Sequence, residues 1–459
     1  MSEILFNAFD MTCVSHQASG LWRHPQDQAD QYNTISYWTN LAQTLERGLF
    51  DGLFIADVLG MYDVYGGGPQ AALRNASQVP VNDPAMTIAA MAAVTNNLGF
   101  GLTATLSFEH PYPFARRMST LDHLTNGRVG WNIVTGYLNS AAKGVGHAKQ
   151  AGHDTRYEIA HDYLDVVTKL WNQSWDDGAV LRDRERGIFT DPDKVRRIEH
   201  NGPHFSIDAI HLCEPSPQRT PVLYQAGTSK KGRNFAAQFA ECVFLAGPSA
   251  LVARDAVRAL RTEAAHFGRP REALKIFSLI TIITDVDDAS AQTKYEEYRQ
   301  YVSFEGALTL MSGWTGVDFS TYAPDEPIKH IRNDAIHSAI DSLTVADPDR
   351  VWTIRELAEH AAIGGLGVTF VGGPQTIADK LEAWVDETDV DGFNLAYAVT
   401  PGSFNDFIDH IVPELQRRGR YKTAYKPGTL REKLFDTSEF QFVKGTRRES
   451  TETYVKRRP

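Results

Sequence analysis

Cysteine is scarce: Cys13, Cys213 and Cys242 are the only three in 459 residues. They are far apart and odd in number, and no C-x-x-C pair occurs. Neither a disulfide framework nor a structural zinc site is therefore expected, and the low count fits a reducing compartment. Histidines such as His110, His123 and His337 have no spacing that marks a metal site. Long apolar runs are missing too. GFGLTATL and FSLITIIT are strand-sized, well short of the roughly 18 residues of a membrane-spanning helix. The opening MSEILFNAFDMT has no basic region followed by an apolar run, so no export signal and a cytoplasmic location are expected. Basic residues are in deficit, with 46 Lys and Arg against 57 Asp and Glu and a formal net charge of −11. Nucleic acid and anionic membranes need a basic face, so neither is expected as a partner.

Several nucleotide and nucleophile motifs are also absent. No G-x-G-x-x-G lies between a strand and a helix, no P-loop carries its lysine, and no G-x-S-x-G turn appears. The glycine-rich stretches at Gly66 to Gly68 and Gly364 to Gly373 read as mobile or tight loops.

What is present is a regular alternation of short β-rich runs and longer helical patterns, the mark of parallel βα units. Strands are expected at Ile4 to Phe9, Leu53 to Asp57, LGFGLTATL and RVGWNIVT. They resume at PVLYQAG, CVFLAG, LKIFSLITIIT, VTFVGG and FNLAYAV. Helical periodicity runs from Tyr32 to Gly48, from the Asn82-Asp83-Pro84 start, through FARRMSTLDHL, and from His153 to Trp171. The count is close to eight strands and no dinucleotide turn follows the first. This predicts an α/β fold, a (β/α)8 barrel, in preference to an open doubly wound sheet. Residues 1–430 form the barrel, with insertions near 172–220 after strand 4 and near 285–365 after strand 7. Residues 431–459 read as a basic tail.

In such barrels the site lies at the carboxyl ends of the strands. Candidates there are Asp57, Thr103, Thr105, Asn132 and Thr135, and the turn Gly227-Thr228-Ser229 inside QAGTSKKG. A helix starting within a few residues of that turn offers unpaired amides beside two hydroxyls, an arrangement suited to a phosphate; it is also how an ordinary capped helix begins. Lys230, Lys231, Arg233 and Arg156 could add positive potential. His153 and Tyr157, four apart on one helix face, could donate to a phosphate or a polyol chain. His16, Trp22 and Tyr62 follow the first two strands, where a substrate pocket would lie; each is otherwise a packing residue.

Taken together, NAFDMTCVSHQASGLWRHP, LERGLFDGLFIAD, VNDPAMTIAAMAAVTNNLGFGLTATLS, HPYPFARRMSTLDHLTNGRVGWNIVT, HDTRYEIAHDYLDVVTKLW, PVLYQAGTSKKGRNFAAQFAE and GGPQTIADKLEAW give a strong resemblance. The chain resembles the bacterial-luciferase-like flavin monooxygenases, in the branch of nitrilotriacetate, dibenzothiophene sulfone and dimethyl sulfide monooxygenases. The resemblance implies a (β/α)8 barrel and a homodimer or homotetramer. It implies reduced FMN supplied by a separate NAD(P)H:flavin reductase, dioxygen as co-substrate, and oxygenation of a small organic molecule with C–S or C–N cleavage. It maps flavin contacts onto Asp57, Thr103 with Thr105 adjacent, Asn132, His153, Tyr157 and the Thr228-Ser229 turn. His16, Trp22 and Tyr62 become candidates for substrate contact or for stabilising the oxygen-activated cofactor. Gly136-Tyr137-Leu138 departs from the polar turn of several relatives, on the substrate side. The alternatives are a flavin-degrading lyase acting on riboflavin, a flavin-binding protein without turnover, and a deazaflavin-dependent oxidoreductase on the same barrel.

Overall fold

The computed structural model describes residues 3–227, 229–328 and 351–438. Thr228 and the segments 329–350 and 439–459 lie outside the described residues.

Eight parallel strands close the barrel. They are β1 (Leu5–Met11), β2 (Gly52–Ala56), β3 (Gly99–Thr105), β4 (Val129–Val134), β9 (Val222–Gln225), β10 (Cys242–Leu245), β11 (Lys275–Ile283) and β13 (Gly392–Ala396). Each pairs with the next, and β13 returns to β1 through Phe6↔Phe393 and its neighbours. VTFVGG is not one of these eight. It forms β12 (Val368–Val371), which pairs with Ile280–Ile283 of β11, above the Lys275–Ser278 half that pairs with β10. At nine residues β11 is long enough to hold two successive partners on one edge.

The insertion after β4 holds more order than its charge pattern suggested. Two antiparallel ribbons form there: β5 (Val180–Asp183) with β6 (Ile188–Thr190), and β7 (Ile198–Asn201) with β8 (Ser206–Ala209). Short exposed strands carry little apolar alternation, so their periodicity is faint. The insertion after β11 contributes the helices Asp288–Arg299, Phe304–Thr315 and Ile354–Ala361.

Helix boundaries follow local chemistry. Ile35–Arg47 starts where the Thr34 hydroxyl accepts from the Tyr37 amide and stops at Gly48. Ala85–Ala93 begins after Pro84, with the Ala85 amide on Asp83 Oδ1 at 2.9 Å. Pro111–Leu124 ends in Asn126 and Gly127, both at positive φ.

Inside the barrel Phe9, Phe54, Tyr224, Phe244 and Phe277 form one apolar layer. Tyr224 stacks on Phe244 with centroids 5.4 Å apart. Two glycines make room for these rings. A Cβ on Gly101 would meet Phe54 at 2.6 Å, and one on Gly130 would meet Tyr224 at 2.2 Å. Strand alternation then points Thr103 and Asn132 inward, one layer higher toward the carboxyl ends.

The other end is closed by the helix Leu430–Phe435, whose Leu430 and Leu434 join the interior cluster. Its Arg431 is fully buried and grips Glu241 with Nε on Oε1 at 2.7 Å and Nη2 on Oε2 at 3.0 Å. The boundary expected at residue 430 therefore falls inside the barrel's own plug. The lysine and arginine count of the segment hid a helix that buries its apolar side.

Candidate active site

The segments that follow β2, β3 and β4 build a cleft of about 330 Å³, lined by Asp57, Asn82, Asp83, Thr103, Thr105 and Phe108 among others. On its floor Asn132 Nδ2 donates to Thr103 Oγ1 at 2.9 Å. The remaining acceptor, Asn132 Oδ1, is buried and makes no hydrogen bond. An orphaned polar atom in a barrel mouth marks a place for a ligand donor. Thr105 Oγ1 accepts from the Ser107 amide at 3.3 Å, and the Thr135 carbonyl accepts from Ser107 Oγ at 2.6 Å. Thr135 thus contributes backbone to the loop. Asp57 is pushed up to about 7, by burial and then by the carboxylate of Asp83, against the Val58 amide. Near neutral pH it can donate as well as accept.

A second group of side chains converges from two helices. Ser229 caps Lys230–Phe239, its Oγ accepting from the Gly232 amide at 3.0 Å. His153, the first residue of His153–Gln173, places Nε2 3.2 Å from the same Oγ. The Tyr157 phenol, one turn on, faces Ser229 as well, and burial raises it above the usual phenol range. Gly227 and Gly232 let the two backbones close beneath it: a Cβ on Gly227 would lie 3.1 Å from the phenol oxygen, and one on Gly232 only 2.6 Å. The Gly227 amide is steadied by Gln225 Oε1 at 2.7 Å. The structure thus brings together His153, Tyr157, Gly227 and Ser229. Thr228, expected beside them, lies outside the described residues. The neighbouring cations are partly engaged elsewhere. Lys231 pairs with Asp154 at 2.9 Å, Arg233 with Glu263 at 3.1 Å, and Arg156 donates to the Ala151 carbonyl at 3.3 Å.

His16 and Tyr62 form a further buried group. The His16 ring packs edge-on against Phe9 with centroids 4.3 Å apart, and burial pushes it down to about 3, so it is neutral. Neither ring nitrogen completes a hydrogen bond of normal geometry. Tyr62 is buried against Gly313, where any Cβ would enter its ring. The two residues are joined by Gln78, which donates to the His16 carbonyl at 2.9 Å and accepts from Tyr62 at 2.8 Å. Trp22 is not part of this group. It sits 39 % exposed on the turn Leu21–Arg23 and makes no hydrogen bond or ring contact among the described residues. A tryptophan after the first strand can face outward once the chain bends back through Gly20, and only the bend decides which.

Sequence reasoning missed Gln78, Trp314 and Gln150, whose Nε2 is buried without a partner beside Gly136. Nothing in their local pattern distinguishes them; each arrives on a loop or an insertion helix. His200 and His204 stand in an H-x-x-x-H spacing. His200 Nε2 is held by Asp162 Oδ1 at 2.7 Å, which ties the β7–β8 ribbon to the helix beneath. Among the described residues no cluster of three metal-ligating side chains forms, and no helix is long and apolar enough to cross a membrane.

A barrel with its polar groups gathered at the carboxyl ends defines the class, and the sequence family agrees with it. Residues 14–391 match the family model for luciferase-like monooxygenases. The chain is 55 % identical over 436 residues to the dimethyl-sulfide monooxygenase of Hyphomicrobium sulfonivorans, covering 95 % of this chain and 91 % of that one. It is 46 % identical to the long-chain alkane monooxygenase of Geobacillus thermodenitrificans, covering 96 % of each. The crystal structure of a riboflavin lyase with modified FMN and riboflavin superposes with a TM-score of 0.87 at 36 % identity, covering 95 % of this chain and 96 % of that one. The chain belongs to the luciferase-like monooxygenase family and is an oxidoreductase of that family.

Proposed function

We propose that this chain is the oxygenating component of a two-component system. It takes reduced FMN from a separate NAD(P)H:flavin reductase and uses dioxygen to oxygenate a small, largely apolar organic molecule, with cleavage of a C–S bond in a dialkyl sulfide as the leading case. The observation that carries this reading is the pair of fittings one cofactor would join. Ser229, the helix amides behind it, His153 and Tyr157 form a cradle for an anion. The orphaned Asn132 Oδ1, with Thr103 and Asp57, offers hydrogen-bonding groups at the barrel mouth. FMN has a phosphate and a polar-edged ring system to match. The 55 % identity to a dimethyl-sulfide monooxygenase supports the substrate class.

Reduced FMN, when bound, supplies the two electrons that let one oxygen atom of dioxygen enter the substrate while the other leaves as water. The protein's own contribution is placement and exclusion. Ser229 and Tyr157 would donate to phosphate oxygens, and the helix start would favour their charge. Asn132 Oδ1, buried and unpartnered, would accept from a ring N–H. Asp57, near its titration midpoint at neutral pH, holds or gives up a proton beside the floor. Tyr62, Leu138, Ala141 and Leu310, with Val58, Met61, Phe108 and Trp314 against them, cap the mouth with apolar surface that excludes water. For a sulfide, oxygen inserted at the carbon beside sulfur gives a hemithioacetal. That collapses to a thiol and an aldehyde, so the atoms balance with one water formed. By analogy with relatives the chain assembles as a homodimer or homotetramer.

The test is a substrate panel under reduced-FMN turnover, read by mass spectrometry, containing dialkyl sulfides, aryl sulfones, aminopolycarboxylates, alkanes and riboflavin. Sulfide-dependent oxygen consumption with aldehyde release is the expected result. Loss of the ribityl chain with no substrate added would replace this reading by the lyase, the reaction of a structural relative. Tight flavin binding with no oxygen uptake on any member would replace it by a binding protein.

A further inference from the structure

The wall of the cleft carries its charges unevenly. Among its described lining residues Asp57, Asp83 and Glu109 are acids, and Arg117 is the one cation. Glu109 and Arg117 stand toward its open end. Their side chains are 29 % and 34 % exposed, whereas Thr103 and Asn132 on the floor are buried. A guanidinium on a half-buried wall is a ready clamp for a ligand carboxylate. Its planar donors match two carboxylate oxygens, and partial burial limits screening by salt.

That clamp is already taken. Arg117, in the helix Pro111–Leu124, donates from Nη2 to Oε2 of Glu109, eight residues earlier on the loop after β3. The guanidinium carbon stands 5.6 Å from the centroid of the buried Phe114 ring. Arg117 Nε is buried and makes no hydrogen bond, so the fork is engaged on one prong only. A ligand carboxylate can use this edge of the guanidinium only by displacing Glu109. Its competitor is tethered within the same chain, at an effective concentration that a dissolved molecule does not match. Once displaced, Glu109 remains in the cleft as a second carboxylate, with Asp83 on the same wall, and like charges in a half-buried site repel. An uncharged thioether displaces nothing and meets the apolar part of the wall at Val58, Phe108 and Val145.

We propose that Glu109 is a specificity-determining residue: by neutralising Arg117 it keeps carboxylated molecules out of the cleft and confines the site to uncharged substrates. The choice of sulfides as probes rests on the sulfide-oxygenating reading above; the charge rule does not.

The experiment compares (methylthio)acetamide with (methylthio)acetate, two ligands of nearly the same shape that differ by one negative charge. Their dissociation constants are measured at neutral pH by ligand-observed NMR, with the full chain loaded with FMN. The proteins are wild type, Glu109→Gln, Glu109→Ala and the double variant Glu109→Gln with Arg117→Gln. Wild type should prefer the amide. Either single change frees the cation, so the acid should gain on the amide by about tenfold or more. Loss of Arg117 as well should cancel that gain, which a general loosening of the loop would not do. A ratio unchanged in both single variants, a gain that survives the loss of Arg117, a wild-type preference for the acid, or no binding of the amide overturns the proposal. Turnover with reduced FMN separates the two readings. If the ratio shifts as expected but wild type oxidises no sulfide, the substrate reading fails and the charge rule stands. If wild type oxidises dimethyl sulfide and the ratio does not move, the charge rule fails alone.

Discussion

Replacing Ser229 by alanine, or Tyr157 by phenylalanine, removes one hydroxyl from the anion cradle and leaves the helices in place. Each change should weaken FMN binding, by about 1 kcal/mol for a neutral hydrogen bond and more for one to phosphate. Titration by flavin fluorescence checks this, and unchanged affinity in both would remove the phosphate from this corner. A second residue-scale prediction concerns Asp10, at the end of β1. It is 1 % exposed, accepts from the Met11 amide at 2.7 Å and from Tyr37 at 3.2 Å, and is pushed by burial up to about 7. Between about pH 4 and 7 the folded chain then holds a proton that the unfolded chain has lost, so this residue lowers stability as pH rises through that window. His16 and His211, pushed down to about 3 and 4, act with the opposite sign. The raw pH profile therefore mixes both. The difference in melting temperature between Asp10→Asn and wild type isolates the aspartate: it should grow in the variant's favour from pH 4 to 7 and level off above. Of the residues in the candidate site, those at strand ends and the helix start were legible, because a barrel fixes where strand ends point. Gln78 and Trp314 were not, because a loop glutamine and a tryptophan on an insertion helix carry no local mark of what they meet.

At the scale of elements, the helix Leu430–Phe435 tests whether the barrel needs its plug. Arg431→Ala leaves Glu241 buried without its cation. Breaking such a pair by removing one partner typically costs about 3–5 kcal/mol. The urea midpoint should fall accordingly, while FMN affinity of the surviving folded protein stays near wild type, since the plug closes the end opposite the cleft. A midpoint within error of wild type would mean that Leu430 and Leu434 alone hold the helix. The same scale explains the strand that sequence reasoning misplaced. VTFVGG has the composition of a barrel strand, yet β12 pairs only with the upper half of β11. Composition reports burial and pairing, not which of two neighbours closes the ring.

At the scale of the whole molecule, the absence of a dinucleotide motif in the sequence predicts a division of labour. NADH or NADPH added to the chain with FMN and substrate should give oxygen uptake no faster than without the chain. Adding a flavin reductase should restore turnover. Substantial uptake without one would mean that this chain reduces its own flavin. Sedimentation of the full chain should show a species of two or four copies; a monomer at micromolar concentration would overturn the expected assembly.

The sequence by itself determined the barrel and the residue types gathered at the carboxyl ends of its strands. Strand alternation, helix caps and the turn at Gly227 act over a few residues, and the resemblance to the luciferase-like family spans most of the chain. Tertiary structure alone decided that Tyr62, Tyr137, Gln78 and Trp314 share one chain of hydrogen bonds, that Trp22 stands outside it, and that the helix Leu430–Phe435 plugs the barrel. These depend on contacts between residues tens to hundreds of positions apart. Such contacts follow from how loops and insertions fold over the barrel, and local pattern does not record them.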